Sequence, residues 1–217
     1  MPSLKEIKNR ITSVQSTRKI TSAMKMVASS KLHHAQMMIE NMLPYENLLE
    51  SMLKTYLEAE VDARTVLTLP REVKKAALIV FASNSSLCGG FNANVLKMMQ
   101  QAVDGYKKRG VEVIIYPVGR KVSEKVNKLG LNTAGNFNSL ADKPNARDCV
   151  KIGEELQELF RKDEIDAVEM IYHHFKSAGS QILLTKKLLP IDVEKAMDYD
   201  HTRDLENNVV TAGVQAY

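Results

Sequence analysis

The sequence predicts an α/β protein: a long N-terminal coiled-coil-type helix followed by a domain built on a mixed, mostly parallel sheet. Three observations carry that expectation. Over the first 57 residues, apolar or small side chains recur at steps of three and four, which draws a stripe along a helix. From Ala76, "AALIVFAS" is a continuous apolar run of strand length, the pattern of a strand buried on both faces. Two later runs, "DAVEMIYHHF" and "QILLTKKLLPI", flank "KSAGS", a natural hairpin connection.

The first element opens on "MPSLKEI", where Ser3 and Glu6 have the spacing of a capping box. Its seam runs through Leu4, Ile7, Ile11, Val14, Met24, Ala28, Leu32, Ala35, Ile39 and Met42, and continues after Pro44 at Leu49, Met52 and Tyr56. A continuous helix over this stretch is roughly 80 Å long, more than a domain of this size can cover. Pro44 is expected to kink it or to mark a change of packing, because proline lacks the amide donor. Arg18 and Lys25 fall where a leucine zipper asks for apolar groups, and Ser13, Ser16, Ala23, Ser29 and Ser30 crowd the middle. Such a stripe needs a partner helix or an enclosing wall.

After the Ala76 strand, "NSSLCGGFN" leads into a helix with Asn92 as the expected N-cap and Val95, Met99, Ala102, Val103 and Tyr106 on one face. Gly110 ends it, and "VEVIIYPV" completes a βαβ unit whose crossover should be right-handed. A short helix follows, with Val122, Val126 and Leu129 inward and Gly130 as its stop. Residues 132–144 read as a loop; Asn145 with Asp148 then starts a helix expected to bury Cys149, Ile152, Leu156, Leu159 and Phe160. The arrangement is Rossmann-like. The boundaries expected are a long helix over 1–58, a linker over 59–75, an α/β body over 76–195 and a polar tail over 196–217.

Composition limits what such a chain can do. Seven cations against one acid leave +6 in the first 35 residues, so the rest of a chain of net +4 carries −2. Between Ile7 and Ile39 there is no Asp or Glu at all. That asymmetry asks for an acidic partner at one end of the chain. Cys88 and Cys149 are far apart with no CxxC spacing, which fits a reducing compartment and no structural zinc. No apolar run approaches the roughly 20 residues of a membrane span.

Few motifs carry chemistry. The turn "SNSSLCGGFN" has neither GxGxxG nor GxxxxGK[ST] spacing, so Gly89 and Gly90 read as a structural turn that permits close packing, not a phosphate cradle. Cys88 reads as a small buried apolar residue. Neighbouring residues diverge on a helix and on a strand alike, so His33–His34 and His173–His174 each supply at most one ligand to any site and make no metal set. Methionines at 24, 26, 37, 38, 42 and 52 are core filler on a helix without a partner of comparable length later in the sequence, and so point to an outside surface.

Two separated motifs then bear a resemblance. "IKNRITSVQSTRKITSAMKMVASSKLHHA" resembles the N-terminal helix of the gamma subunit of F-type ATP synthases, and "SLCGGFN" after an apolar strand resembles that family's second hallmark. The resemblance implies a rotary shaft with no active site and no cofactor, standing inside a ring of alpha and beta subunits. Its foot touches the epsilon subunit and the c-ring, and through the c-ring the chain is peripheral to the membrane, on the cytoplasmic face of the bacterial inner membrane. Lys8, Arg10, Arg18, Lys19, Met24 and Lys25 are then the residues expected to meet the ring, where beta subunits present an acidic loop. The chain departs from the family pattern at Asn84, Ser85 and Ser86, where an Asp, a basic residue and Gly are usual. The polar tail contains nothing resembling the family's closing helix, the antiparallel mate of the first. Nucleic acid is not among the implied partners; a basic-helix nucleic-acid binder and a nucleotide-dependent enzyme using Ser86–Asn92 are the rival readings.

Overall fold

The computed structural model describes residues 3–59, 65–177 and 179–191. The polar tail expected from residue 196 lies outside them. The chain divides into two units, Met1–Tyr56 and Leu57–Tyr217.

The first is a single helix, α1 (Leu4–Ala59). Its start is the expected capping box: the Ser3 amide donates to Glu6 Oε2 at 2.9 Å and the Glu6 amide to Ser3 Oγ at 3.3 Å. The helix continues through Pro44, whose missing N–H leaves the Glu40 carbonyl without its helical donor. Thr12, Thr17, Thr21 and Thr55 each turn their hydroxyl back to the carbonyl four residues earlier, at 2.9–3.0 Å. Each therefore satisfies its polar atom internally and offers a methyl outward.

The second unit holds four strands, β1 (Lys75–Phe81), β2 (Glu112–Val118), β3 (Ala167–Ser177) and β4 (Ser180–Leu189). Their order in the sheet is β2-β1-β3-β4, with β1 parallel to both neighbours and β4 antiparallel to β3. The sheet is thus mixed and mostly parallel, as expected. Alternate residues of β1 serve opposite faces. Ala76, Leu78 and Val80 pack against α2 (Phe91–Lys108) through Val95, Met99 and Val103, and against α3 (Arg120–Leu129) through Val122 and Val126. Ala77 and Ile79 face the other way, toward Ile152, Leu156 and Phe160 of α5 (Ala146–Arg161), which Asn145 caps by accepting from the Asp148 amide.

Three expectations are corrected. The 132–144 loop contains a short helix, α4 (Asn138–Asp142), because Leu140 finds a place in the second core and Asn136 Oδ1 receives the Asn138 amide. Cys149 is exposed, since the stripe of α5 that meets the sheet begins one turn later, at Ile152. Leu129 is 39% exposed: it is the last residue before the left-handed Gly130, beyond the buried pair Val122 and Val126.

One close approach had no sequence signal. Gly119 has φ +109°, and a Cβ there would lie 2.0 Å from the Ala82 carbonyl oxygen, where the ends of β1 and β2 meet. Gly153 sits inside α5, and an alanine methyl at that position would meet nothing within 4 Å. Gly119→Ala should cost about 3 kcal/mol or more, through strain and collision with backbone. Gly153→Ala should instead stabilise by about 0.5–1 kcal/mol. Urea unfolding of the two variants checks both signs.

Candidate functional site

Two regions stand out, the surface of α1 and the turn after β1. On α1 the expected seam residues Leu4, Ile7, Ile11, Val14, Met24, Ala28, Leu32, Ala35 and Met42 are all exposed, and Ile39 is half-buried. Apolar groups are not confined to that seam. Ile20, Met26, Val27, Met37 and Met38 are exposed as well, and residues two apart on a helix, such as Met24 and Met26, point to nearly opposite sides. Exposed apolar groups therefore lie on more than one side of the helix.

The cations are interleaved with these groups. Lys8, Arg10, Arg18, Lys19 and Lys25 are exposed, and among the described residues of the helix no carboxylate pairs with any of them. Arg18 and Lys25 border a shallow strip floored by Ser13, Val14, Thr17, Thr21 and Ser22. The chemistry offered is a smooth surface of methyl and small groups carrying long, unpaired positive side chains.

The turn is of another kind. Asn92, expected as the cap of α2, lies instead inside its first turn and is 8% exposed. Gly89, at φ +55°, turns the chain so that the helix starts at Phe91 and Asn92 faces back toward the strand end. Its Oδ1 accepts from the Ser83 amide at 3.0 Å, and its Nδ2 donates to the Ser85 carbonyl at 2.8 Å and approaches Cys88 Sγ at 2.9 Å. Cys88 is accordingly a half-exposed member of a polar network, not a buried apolar residue.

Asn84, which stands at the departure from the family pattern, ties three elements together. Its Nδ2 donates to the Asn138 carbonyl at 2.9 Å and to Asp142 at 2.7 Å, while its Oδ1 accepts from the Arg120 amide at 2.7 Å. No spacing in the sequence signals these long-range bonds. Three of the turn's amides are spent within the chain: Ser83 on Asn92, Leu87 on Ser85 Oγ, and Phe91 on the Cys88 carbonyl. A phosphate cradle needs such donors free. Among the described residues, no group of three or more His, Cys, Asp or Glu is arranged to hold a metal.

Comparison with known proteins bears on both regions. The family model for ATP synthase matches residues 3–217. An ATP synthase gamma chain of Bacteroides fragilis is 50% identical over 211 residues, covering 97% of this chain and 73% of the relative. The chain belongs to the ATP synthase gamma-chain family. Gamma chains of Phocaeicola vulgatus (52% identical, 89% of this chain and 67% of the relative) and Bacteroides thetaiotaomicron (49%, 95% and 70%) agree. A chain from the central stalk and c-ring of the Tetrahymena thermophila mitochondrial ATP synthase shares the fold, with a TM-score of 0.58 over 83% of this chain and 84% of that one at 22% identity. Gamma chains are non-catalytic subunits, so neither the turn nor the histidines need an enzymatic role.

His173 has a structural one. Its ring stacks on Phe91 with centroids 4.1 Å apart, and its Nδ1 has no hydrogen-bond partner among the described residues. Burial holds its pKa below the ordinary imidazole value. The unfolded chain therefore takes up the proton first as pH falls, and stability drops from about pH 6.5 downward, toward the lower folded value. His173→Gln should flatten the fall in the urea midpoint between pH 7.5 and 5.5; an unchanged slope would remove His173 from that role.

Proposed function

We propose that the chain is the central-stalk rotor subunit that couples ion-driven rotation of a c-ring to ATP synthesis and hydrolysis in an alpha/beta catalytic ring. The observation that carries this reading is α1 itself: 56 residues of helix with apolar, small and cationic side chains exposed and no acid between Ile7 and Ile39. A collar of subunits meets that surface on several sides. A flat duplex or a single zipper partner meets it on one.

Lys8, Arg10, Arg18, Lys19 and Lys25 complement acidic loops of the beta subunits, and Met24 lies at the sliding contact, with the seam from Leu4 to Met42 packed on a partner helix. Exposed ion pairs are worth about 0–1 kcal/mol each and are screened within about 8 Å at physiological salt. Cations on a smooth stem therefore attract successive acidic loops without locking onto one. The Gly89–Gly90 turn serves the foot structurally, and the foot meets the epsilon subunit and the c-ring. No described helix is long and apolar enough to cross a membrane, so attachment at the cytoplasmic face of the inner membrane runs through the c-ring.

Reconstitution with alpha and beta subunits tests the reading: a defined complex whose ATP hydrolysis drives rotation is the expected result. Tight binding to a generic DNA duplex at 200 mM salt, with no such complex, favours the nucleic-acid rival instead. Met24→Lys places one more cation at the contact and should impair coupling of rotation to synthesis by about tenfold, equivalent to roughly 1.4 kcal/mol, while leaving assembly intact. Normal coupling in that variant moves Met24 away from the sliding contact.

A further inference from the structure

Only one covalent path leads from α1 to β1, and residues 65–74 complete it. That segment is fixed to the body by a clamp remote in sequence. The Arg71 guanidinium stacks on the Phe160 ring at 3.8 Å, and Nη2 donates to the carbonyls of Phe160 at 2.5 Å and Ile165 at 2.9 Å. Nη1 pairs with Asp163, and Nε lies 3.3 Å from Asp166 Oδ1, in ion-pair range but without hydrogen-bond alignment. Arg71 thus closes the C-terminal end of α5, where free carbonyls and the helix dipole favour a cation. Asp166 completes the clamp. Its Oδ2 accepts from the amides of both Lys74 and Lys75 at 2.9 Å, and its own amide donates to the Lys75 carbonyl at 2.7 Å. The Ile191 amide also holds the Leu67 carbonyl, at 2.8 Å.

The clamp grips the chain where it enters β1, the strand paired on both sides. A polypeptide that reaches a sheet unanchored bends and twists under force. One gripped at two successive amides and at a stacked guanidinium passes that force into the sheet. We propose that Arg71 and Asp166 are positioning residues that transmit torque from the connecting segment into the foot, an inference that rests on the rotor reading. Both side chains are mostly buried, at 22% and 12% exposure, so the pairing is shielded from salt in a way that surface pairs are not. The guanidinium shape is required: a lysine ammonium neither stacks flat on Phe160 nor spans the two carbonyls. Both Asp166 oxygens are used: an asparagine whose amide oxygen accepts from Lys74 and Lys75 turns its NH2 group toward the Arg71 guanidinium, donor against donor.

The test uses the full chain reconstituted with alpha and beta subunits, in a Cys88→Ser background, with a bead attached through the exposed Cys149. Torsional stiffness and ATP hydrolysis are read together. In Arg71→Ala and Arg71→Lys, stiffness should fall by about twofold or more, since a locally opened segment adds compliance, and exchange of the Lys74 and Lys75 amides should rise about tenfold. Unloaded hydrolysis and exchange at Val95 and Val103 should stay at wild-type values, and Asp166→Asn should lower the stiffness in the same direction. Wild-type stiffness in Arg71→Lys overturns the anchor, as does a uniform rise in exchange across the body, which marks plain core support. If Arg71→Ala does not assemble, Arg71→Lys decides by the same two readings. A wild-type chain that forms no rotating complex defeats the rotor reading, whereas equal stiffness in rotating wild-type and variant complexes defeats the anchor alone.

Discussion

Apolar surface that α1 cannot bury along its own length is the constraint from which the rest follows. Among the described residues of this helix, nineteen large apolar side chains are exposed, from Leu4 to Tyr56. Burying even half of them at about 1.5 kcal/mol each yields roughly 15 kcal/mol, comparable with the whole folding stability of a domain. Surface ion pairs at about 0–1 kcal/mol apiece come nowhere near that. Apolar burial therefore outweighs ion pairing in any complex that covers α1, and in the proposed rotor the cations are left to govern approach, orientation and ease of sliding.

The body shows what an ordinary solvated surface looks like in the same chain. Its helices interleave both signs: Arg120 and Lys121 with Glu124, Lys151 with Asp148, and Lys162 with Glu158. From Ile7 to Ile39, α1 has no acid to interleave, and its threonines direct their hydroxyls inward. Water solvates the cations well, but the apolar groups beside them gain by being covered. The contrast lies within one sequence, so it is not a matter of overall composition.

Periodicity made the main elements legible. Continuous apolar runs located β1 and β2, the three-and-four spacing located α1 and the inner faces of α2 and α5, and Asn145 with Asp148 marked a helix start from side-chain chemistry alone. The failures share a cause. Asn92 looked like a cap because its type and position suit one, yet its partners are set by the positive φ of Gly89 and by a strand end nine residues earlier. Asn84, Gly119 and Arg71 depend on residues 36 to 94 positions away, or on a backbone approach. Local patterning carries no record of such meetings. The α1 surface was legible as a sticky, basic helix, but not as one whose apolar groups spread beyond a seam.

The sheet also sets the turn after β1 beside the position where Rossmann-like bodies receive a nucleotide. In open α/β sheets the ligand crevice lies past the carboxyl ends of the strands, where the order switches direction. With the order β2-β1-β3-β4 that point is between β1 and β3, just beyond the Val80–Ile171 pair. In this chain the place is taken by the Phe91–His173 stack and by Asn92, while Asn84 and Arg120 close the neighbouring β1–β2 side. Side chains bonded to one another and to the turn line the space a phosphate would enter. The fold's customary binding position is instead lined by side chains that tie strand ends to helices, an arrangement that suits the proposed force-bearing role better than a phosphate site.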